Sequence, residues 1–342
     1  MTSTTDLPGD GTPPTLLAVA QRAGVSRSTA SRVLNGSPQV TPEAISAVTA
    51  AVAELNYVPN RAARSLARRT TQTIAMVIPQ QTSKFFADPY FAAVIQGAAL
   101  HVSSTDYTLT LLIESDADPQ KTRRFLEGGN VDGALILSHY SRDADYVSLS
   151  RSLPVVFGVR PMTPDDGPYY VVDVDNVEAA RTATRHLVDR GRTRIAMIGA
   201  PLGMSAGLDR AEGWRAVLGE SGLEEGPFEE GDLTPAGGAA AMERLLASDR
   251  PIDGLVAASA QMAAGAMGVL REHGIAVPAD IAVVTIDNNF FSTSALPPLT
   301  SVDLNTDTKG AVMAQTLLRI IGGEQIDRFT TIPIELIERA SS

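Results

Sequence analysis

The chain has 342 residues, 44% of them hydrophobic and 20% charged, with a formal net charge of −11 and no cysteine. That length implies two or three domains with ample core, and the missing cysteines exclude disulfides, thiolate metal sites and cysteine nucleophiles, which fits a reducing compartment. The opening "MTSTTDLPGDGTPPT" has neither a basic nor an apolar signal region, and no apolar run reaches membrane-span length, so the expected setting is the cytoplasm with no membrane partner.

Taken alone, the acidity argues against a nucleic-acid partner, but the charge is unevenly spread. Residues 15–71 hold seven arginines and two glutamates, a net of +5; residues 1–14 hold two aspartates, and the remainder therefore carries −14. A basic module joined to a large acidic body is either a solvated charged surface or a nucleic-acid-binding arm.

In chain order, residues 1–14 read as a disordered tail. Pro13 and Pro14 oppose helix before Thr15, whose hydroxyl suits the N-cap of "LLAVAQRAG". Leu16, Val19, Ala20 and Ala23 share one face, and Gly24 stops the helix. After a short turn Ser26 caps a second helix that ends at Asn35-Gly36, giving the helix-turn-helix pattern. At about 100° per residue, Ala30, Val33 and Leu34 face one way, while Arg27, Ser28, Ser31, Arg32 and Asn35 fill an arc of about 140° on the other side. Forked arginine donors and small hydroxyls suit base edges and phosphates. A third helix starts at Thr41, with Pro42 and Glu43 in its first turn and Ile45, Val48, Val52 and Leu55 as its apolar side. Pro59 ends it. Asn60 can cap a further short helix, "RAARSLARR", which has four arginines and Leu66. That string reads equally well as a basic linker whose leucine docks on a neighbouring domain.

The pieces "VAQRAGVSRSTASRVLNG", the valine-threonine before the third helix, "ELNYVPNRAARSL" and the threonine-rich exit at 70–73 resemble the DNA-binding headpiece of the LacI/GalR family of bacterial regulators. The resemblance implies that Arg27, Ser28 and Arg32 read the major groove, and that Ser26, Thr29, Ser31 and Asn35 touch the backbone. Leu66, with Ala67 beside it, matches a hinge leucine that wedges into the minor groove, where an apolar side chain unstacks a base step. Thr15, Asn60, Arg61 and Arg64 complete the expected DNA-binding set. Ala18 and Ala30 depart from the usual aspartate and valine, and "PEAISAV" lacks the basic residues common at the start of the third helix.

From Thr73 the texture changes. "TIAMVIP" is a near-continuous apolar run, as in a strand buried on both faces. Strand-like runs at 107–114, 133–138, 154–159, 169–175, 194–199, 254–259 and 281–287 then alternate with helix-like stretches at 90–104, 119–128, 176–190, 209–221, 236–248 and 260–273. This βα alternation implies parallel sheets with helices on both faces, and "RPMTPDDGP" at 160–168 divides it into two similar halves. Two doubly wound lobes leave a cleft at their C-terminal strand ends. The expected fold is therefore a small all-α helix-turn-helix headpiece with a hinge helix, followed by an α/β body.

The body resembles the family's effector domain, a periplasmic sugar-binding fold, through "FADPYFAAVIQGA", "HLVDRGRTRIAMIG", "AVPADIAVVTIDN" and "LPPLTSVDLN". The expected domains are 15–59 for DNA binding, 60–71 for the hinge and 72–340 for the effector, its first lobe at about 72–161 and 292–325 and its second at about 162–291 and 326–340. The resemblance implies effector contacts from Asp88, Phe91, Arg160, Arg210, Ser259 and Asp287. Ser259-Ala260 and Leu304 stand where many relatives have Asn-Asp and glutamine, so a less polar wall is expected. "KFFADPYF" is similar to actinobacterial regulators that respond to cellobiose or other plant-polysaccharide fragments.

The implied protein is a homodimeric repressor of carbohydrate-use genes that binds double-stranded operator DNA and a small carbohydrate, without cofactor, metal or enzymatic activity. No leucine heptads close the chain, so no tetramer-forming tail is expected. A solute-binding protein without DNA function is the rival, but it has no use for residues 15–69. "GMSAG" at 203–207 matches the G-x-S-x-G elbow of α/β-hydrolases, with Asp253 and His273 following in order. Yet "APLG" separates it from its strand, and His273 belongs at the opposite end of the sheet from Ser205. Trp214 reads as a core residue.

Overall fold

Helix capping and glycine placement build the N-terminal unit. In this computed structural model the described residues are all but 1–13, 35, 59–69, 80–81, 114–118, 138–142 and 163–166. Asn35, Asn60, Arg61, Arg64, Leu66 and Ala67 of the expected site thus lie outside them. Two compact units emerge, Met1–Thr71 and Gln72–Ser342.

In the first unit, α1 (Leu16–Arg22) begins where the Thr15 hydroxyl accepts from the Ala18 amide at 3.3 Å. It ends at Gly24, whose φ of +67° is costly for a residue with a Cβ. Ser26 accepts from the Thr29 amide at 3.1 Å and starts α2 (Arg27–Leu34). Thr41 caps α3 (Pro42–Glu54). Val19, Ala20, Ala30, Val48, Ala51 and Tyr57 form the buried centre, with Leu16, Val33, Leu34, Val52 and Leu55 packed at its margin. Ile45 departs from its expected place on the apolar side: it is 44% exposed, because it sits about 60° around the helix from Val48, and Ala51 takes the buried position.

The second unit has two six-stranded sheets. Its elements are β1 (Thr73–Ile78), α4 (Thr82–Ala87), α5 (Pro89–Ser103), β2 (Thr108–Ile113), α6 (Pro119–Glu127), β3 (Gly133–Ile136), α7 (Asp143–Leu149), β4 (Val155–Phe157), β5 (Tyr170–Val174), α8 (Asn176–Asp189), β6 (Ile195–Gly199), α9 (Ser205–Glu220), β7 (Phe228–Glu230), α10 (Pro235–Ala247), β8 (Gly254–Ala257), α11 (Ala260–Glu272), β9 (Ala282–Ile286), α12 (Phe290–Ser294), β10 (Thr300–Asp303), α13 (Thr306–Ile321), β11 (Phe329–Ile332) and β12 (Glu335–Ile337). The first sheet has the order β11-β5-β4-β3-β1-β2 and is parallel throughout; the second has the order β12-β10-β9-β8-β6-β7, with β12 antiparallel to β10. The central strands are buried end to end, which is why they read as unbroken apolar runs.

Three lobe assignments differ from the sequence reading. β5, placed in the second lobe, continues the first sheet, with Phe157 opposite Val171. β10, placed in the first lobe, joins the second sheet, with Thr300 opposite Val284. β11, placed in the second lobe, pairs with β5 of the first sheet. The chain therefore crosses between lobes after β5, after β10 and after β11. The proline-rich stretch at 160–168 looked like a boundary, but the strands on either side of it, β4 and β5, are neighbours in one sheet. After the second crossing α13 returns to the first lobe and packs on α5 at very short range: a Cβ at Gly97 would fall 1.8 Å from the Asp307 carbonyl oxygen, and one at Gly310 would fall 2.0 Å from that of Val94.

Candidate functional site

On the first unit the site is the outer face of α2. Ala30 buries the inner face, so Arg27, Ser28 and Arg32 emerge exposed, with Thr29 and Ser31 half-buried beside them. Ser26 hydrogen-bonds the hydroxyls of Ser28 and Thr29 at 2.8 and 2.9 Å, fixing the first turn. Arg22 is held by Glu54 at 2.7 Å across α1 and α3. Arg27 and Arg32 have no acidic partner among the described residues. Among the described residues of this unit, the positive charge left unneutralised therefore lies on α2.

On the second unit a cleft of about 980 Å³, solvent at its mouth included, lies between the two sheets. Its walls come from strand ends: Val174 closes β5, while Ala200, Asp232, Ser259, Asp287 and Leu304 follow β6, β7, β8, β9 and β10. This is where the carboxyl ends of parallel strands leave backbone and side chains free to meet a ligand. Asp287 and Leu233 hold left-handed φ values of 77° and 66°, strain of the kind that a packed surround must maintain.

Arg210 projects from α9 and is 9% exposed. Its Nε donates to Asn176 Oδ1 at 3.0 Å and its Nη1 to the Ala258 carbonyl at 2.6 Å. Nη2 has no hydrogen-bond partner among the described residues, leaving a fixed donor toward the cleft. Asp88 caps α5, accepting from the Tyr90 amide at 2.9 Å, and also accepts from Gln261 Nε2 of the other lobe at 2.7 Å. Burial pushes its carboxyl up to about 6, and the Asp287 charge adds to that shift. Burial likewise raises Asp287, against the pull of Arg210 and Lys309. Burial acts to lower Lys309, but Asp173 at 2.7 Å and the Tyr90 hydroxyl outweigh it and hold the lysine at about 12, charged. Phe91, Met204, Leu233 and Leu304 supply apolar wall. The arrangement offers two cations held in place, Arg210 and Lys309, three carboxylates and an apolar floor, which is equipment for binding hydroxyls rather than for breaking bonds.

Asp88, Phe91, Arg210, Ser259 and Asp287 all line the cleft. Ser259 does so as the N-cap of α11, its hydroxyl accepting from the Met262 amide. Arg160 does not line it. Its guanidinium pairs with Asp209 at 2.8 Å, because the turn after β4 carries it toward α9. Gln261, Asp232 and Lys309 went unnoticed in the sequence. A lysine on an amphipathic helix reads as solvent-facing, and only the packing of α13 buries this one. Gln261 carries a weak signal, lying two residues beyond Ser259 in the same strand-to-helix turn. The hydrolase reading fails locally. Ser205 is 2% exposed and donates to the Arg160 carbonyl at 2.6 Å, while His273 caps the far end of α11 and pairs with Glu243. Trp214 is fully buried, as expected of a core residue.

A model of the lacI family of bacterial regulatory proteins matches residues 15–60, and one of the periplasmic binding protein-like domain matches 184–342. The HTH-type transcriptional regulator CelR of Thermobifida fusca is 40% identical over 328 residues, 95% of each chain. The ribose operon repressor of Escherichia coli K12 is 32% identical, covering 96% of this chain and 99% of its own. Among solved structures, a CelR–cellobiose complex has 37% identity and a TM-score of 0.76 over 96% of this chain and 100% of its own. A lac repressor dimer bound to operator and an anti-inducer has 27% identity and a TM-score of 0.85 over 96% and 99%. No helix among the described residues is long and apolar enough to cross a membrane.

Proposed function

The chain belongs to the lacI family of bacterial regulatory proteins, which are transcription regulators and not enzymes, and from that premise we propose that it represses carbohydrate-use genes under the control of a small sugar. It acts in the cytoplasm as a homodimer on double-stranded operator DNA. Two α2 helices enter successive major grooves of a pseudo-palindromic site. Arg27, Ser28 and Arg32 read base edges there, and Thr15, Ser26, Thr29, Ser31 and Asn35 contact the backbone. Residues 60–71 form the hinge, where Leu66 and Ala67 enter the minor groove and Asn60, Arg61 and Arg64 hold the flanking phosphates. In the cleft, Arg210, Asp88 and Asp287 hydrogen-bond the sugar hydroxyls, and Phe91 and Ser259 bound the ring.

The observation that carries this reading is the charge on α2, since in an acidic protein Arg27 and Arg32, exposed on one small helix with no acidic partner among the described residues, make an anion-binding face. The sugar changes operator affinity only by as much as it prefers one arrangement of the lobes over the other. A gel-shift titration with purified full-length protein and duplexes from its own genomic neighbourhood tests the reading. A retarded band that responds to cellobiose or a related disaccharide is expected. Failure to shift any such duplex, with or without sugar, overturns it.

A further inference from the structure

Both cations of the cleft belong to one relay of hydrogen bonds that runs behind its wall. Lys309 Nζ donates to Asp173 Oδ1 at 2.7 Å. Asp173 Oδ2 accepts from Asn176 Nδ2 at 3.3 Å, and Asn176 Oδ1 accepts from Arg210 Nε at 3.0 Å. The relay spans the two lobes. Asp173 on β5 and Lys309 on α13 belong to the first lobe and Arg210 on α9 to the second, while Asn176 opens α8 just after the polypeptide first crosses between them. Asn176, Arg210 and Lys309 are all buried. Arg210 and Lys309 line the cleft, whereas Asn176 and Asp173 do not. An ionised carboxylate only accepts and a guanidinium only donates, so a side chain bridging them must donate on one side and accept on the other. The amide of Asn176 does this, and its two neighbours fix which way it points.

We infer that Asn176 is a positioning residue of the sugar site: it holds the Arg210 guanidinium with Nη2 left for the ligand, and the Lys309–Asp173 ion pair of the other lobe holds Asn176 in turn. The inference rests on the sugar-sensing reading above. Arg210 needs two anchors to be fixed, because a planar fork held at one nitrogen still swings about that bond. The Ala258 carbonyl supplies one, at Nη1, and Asn176 supplies the other, at Nε. With both in place the side chain is ordered when the polypeptide folds, and the ligand does not have to order it. Lys309 offsets the Asp173 charge, which is costly when left unpaired so far from solvent. The cleft therefore owes its fixed donor to two residues that never touch the ligand, Asn176 and Asp173.

Calorimetric titration of the full-length protein with cellobiose tests this. Asn176→Leu, which has neither donor nor acceptor, is expected to weaken binding about ten-fold, the effect of one lost hydrogen bond to a charged group. Asn176→Asp still accepts from Nε and should bind within about three-fold of the unaltered protein. A merely structural amide predicts the reverse order, since aspartate adds a second buried charge beside Asp173. Isotope-labelled arginine gives a readout that needs no ligand. The Arg210 Nε proton, assigned by its loss in Arg210→Lys, should exchange slowly with solvent in the unaltered protein and in Asn176→Asp, and quickly in Asn176→Leu. Lys309→Met with Asp173→Leu removes the ion pair without leaving one charge buried alone. Added to Asn176→Leu, that pair of changes should cost less than about two-fold more, because all three act through one orientation. Losses that multiply would detach the ion pair from Asn176. If Asn176→Leu binds cellobiose as tightly as the unaltered protein, or if Asn176→Asp binds more weakly than Asn176→Leu, the positioning role falls while sugar sensing stands. If the unaltered protein binds no cellobiose, the disaccharide reading falls, and exchange of the Nε proton alone decides whether Asn176 holds Arg210.

Discussion

The two units use arginine in opposite ways. On α2, Arg27 and Arg32 stand in solvent with no acidic partner among the described residues, whereas Arg210 is buried and gripped by Asn176 and the Ala258 carbonyl. An exposed arginine keeps its rotamers until a ligand removes them, so every contact it makes is offset by the entropy of ordering it. Arg210 lost that freedom when the chain folded. The headpiece therefore recognises its partner first by charge, and the cleft recognises its ligand by geometry set beforehand. Salt should weaken the first strongly and the second little.

Removing the buried arginine is the most severe way to break this contrast. Arg210→Ala is expected to lower sugar affinity by at least about 100-fold in calorimetry, because it removes a fixed donor and leaves Asn176, the Ala258 carbonyl and the Asp287 charge without their cation. Operator binding without sugar should persist. A variant that still responded to sugar would move the ligand out of this cleft. Arg210→Lys should fare nearly as badly, since an ammonium cannot reproduce the forked grip.

On the other side of the comparison, Arg27→Ala or Arg32→Ala should weaken operator binding by about ten- to a hundredfold, the range for losing one base-reading pair, with sugar affinity unchanged. The unaltered protein should show a steep fall of operator affinity with salt, and a flat log–log plot would remove the charge-first account. Leu66→Ala sharpens the contrast further, because a wedge carries no charge. It should weaken specific binding about tenfold more than non-specific binding, with the salt slope kept. Equal losses would mean that this leucine does not enter the duplex.

The smallest expected effect concerns the cleft carboxylate. Asp88 has its folded value raised from 3.8 to about 6, so the native state takes up a proton more readily than the unfolded chain between those values. Stability should thus decline as pH rises from about 4 to about 6 and stay lower above that window. Asp88→Asn, an equally good N-cap, should abolish that slope and raise the melting temperature at pH 7 by a few degrees, on the order of 1–2 kcal/mol. Sugar affinity of the unaltered protein should rise as pH climbs through about 6 and the accepting carboxylate forms. A pH-independent affinity would take Asp88 out of the contact set.

Much of this was legible in the residues themselves. The three headpiece helices and their caps at Thr15, Ser26 and Thr41 follow from signals lying within one turn of each other. Most strands of the body announce themselves as apolar runs. Of the cleft, Arg210 and Asp287 stand out through the family resemblance and their strand-to-helix context. Arg160 carried the same promise and was misleading, since the ion pair with Asp209 that diverts it depends on a helix 49 positions away. The short strands β7, β10 and β11 escaped notice because three or four residues show too little period to separate from loop.

What the sequence determined by itself was therefore local: where helices start, which face of α2 is apolar, which runs are sheathed strands, and that positive charge gathers at one end of the chain. What the tertiary structure alone decided was membership and company. Whether β5, β10 and β11 join one sheet or the other depends on ladder partners as far away as Val171 and Phe329, and parallel strands accept a neighbour on either edge. The same remoteness hides the cleft. Asp88, Gln261 and Asp287 are separated by long stretches of chain and meet only because strands from two sheets end at one crevice, and Lys309 is buried there because a helix crossing back from the other lobe carries it to Asp173.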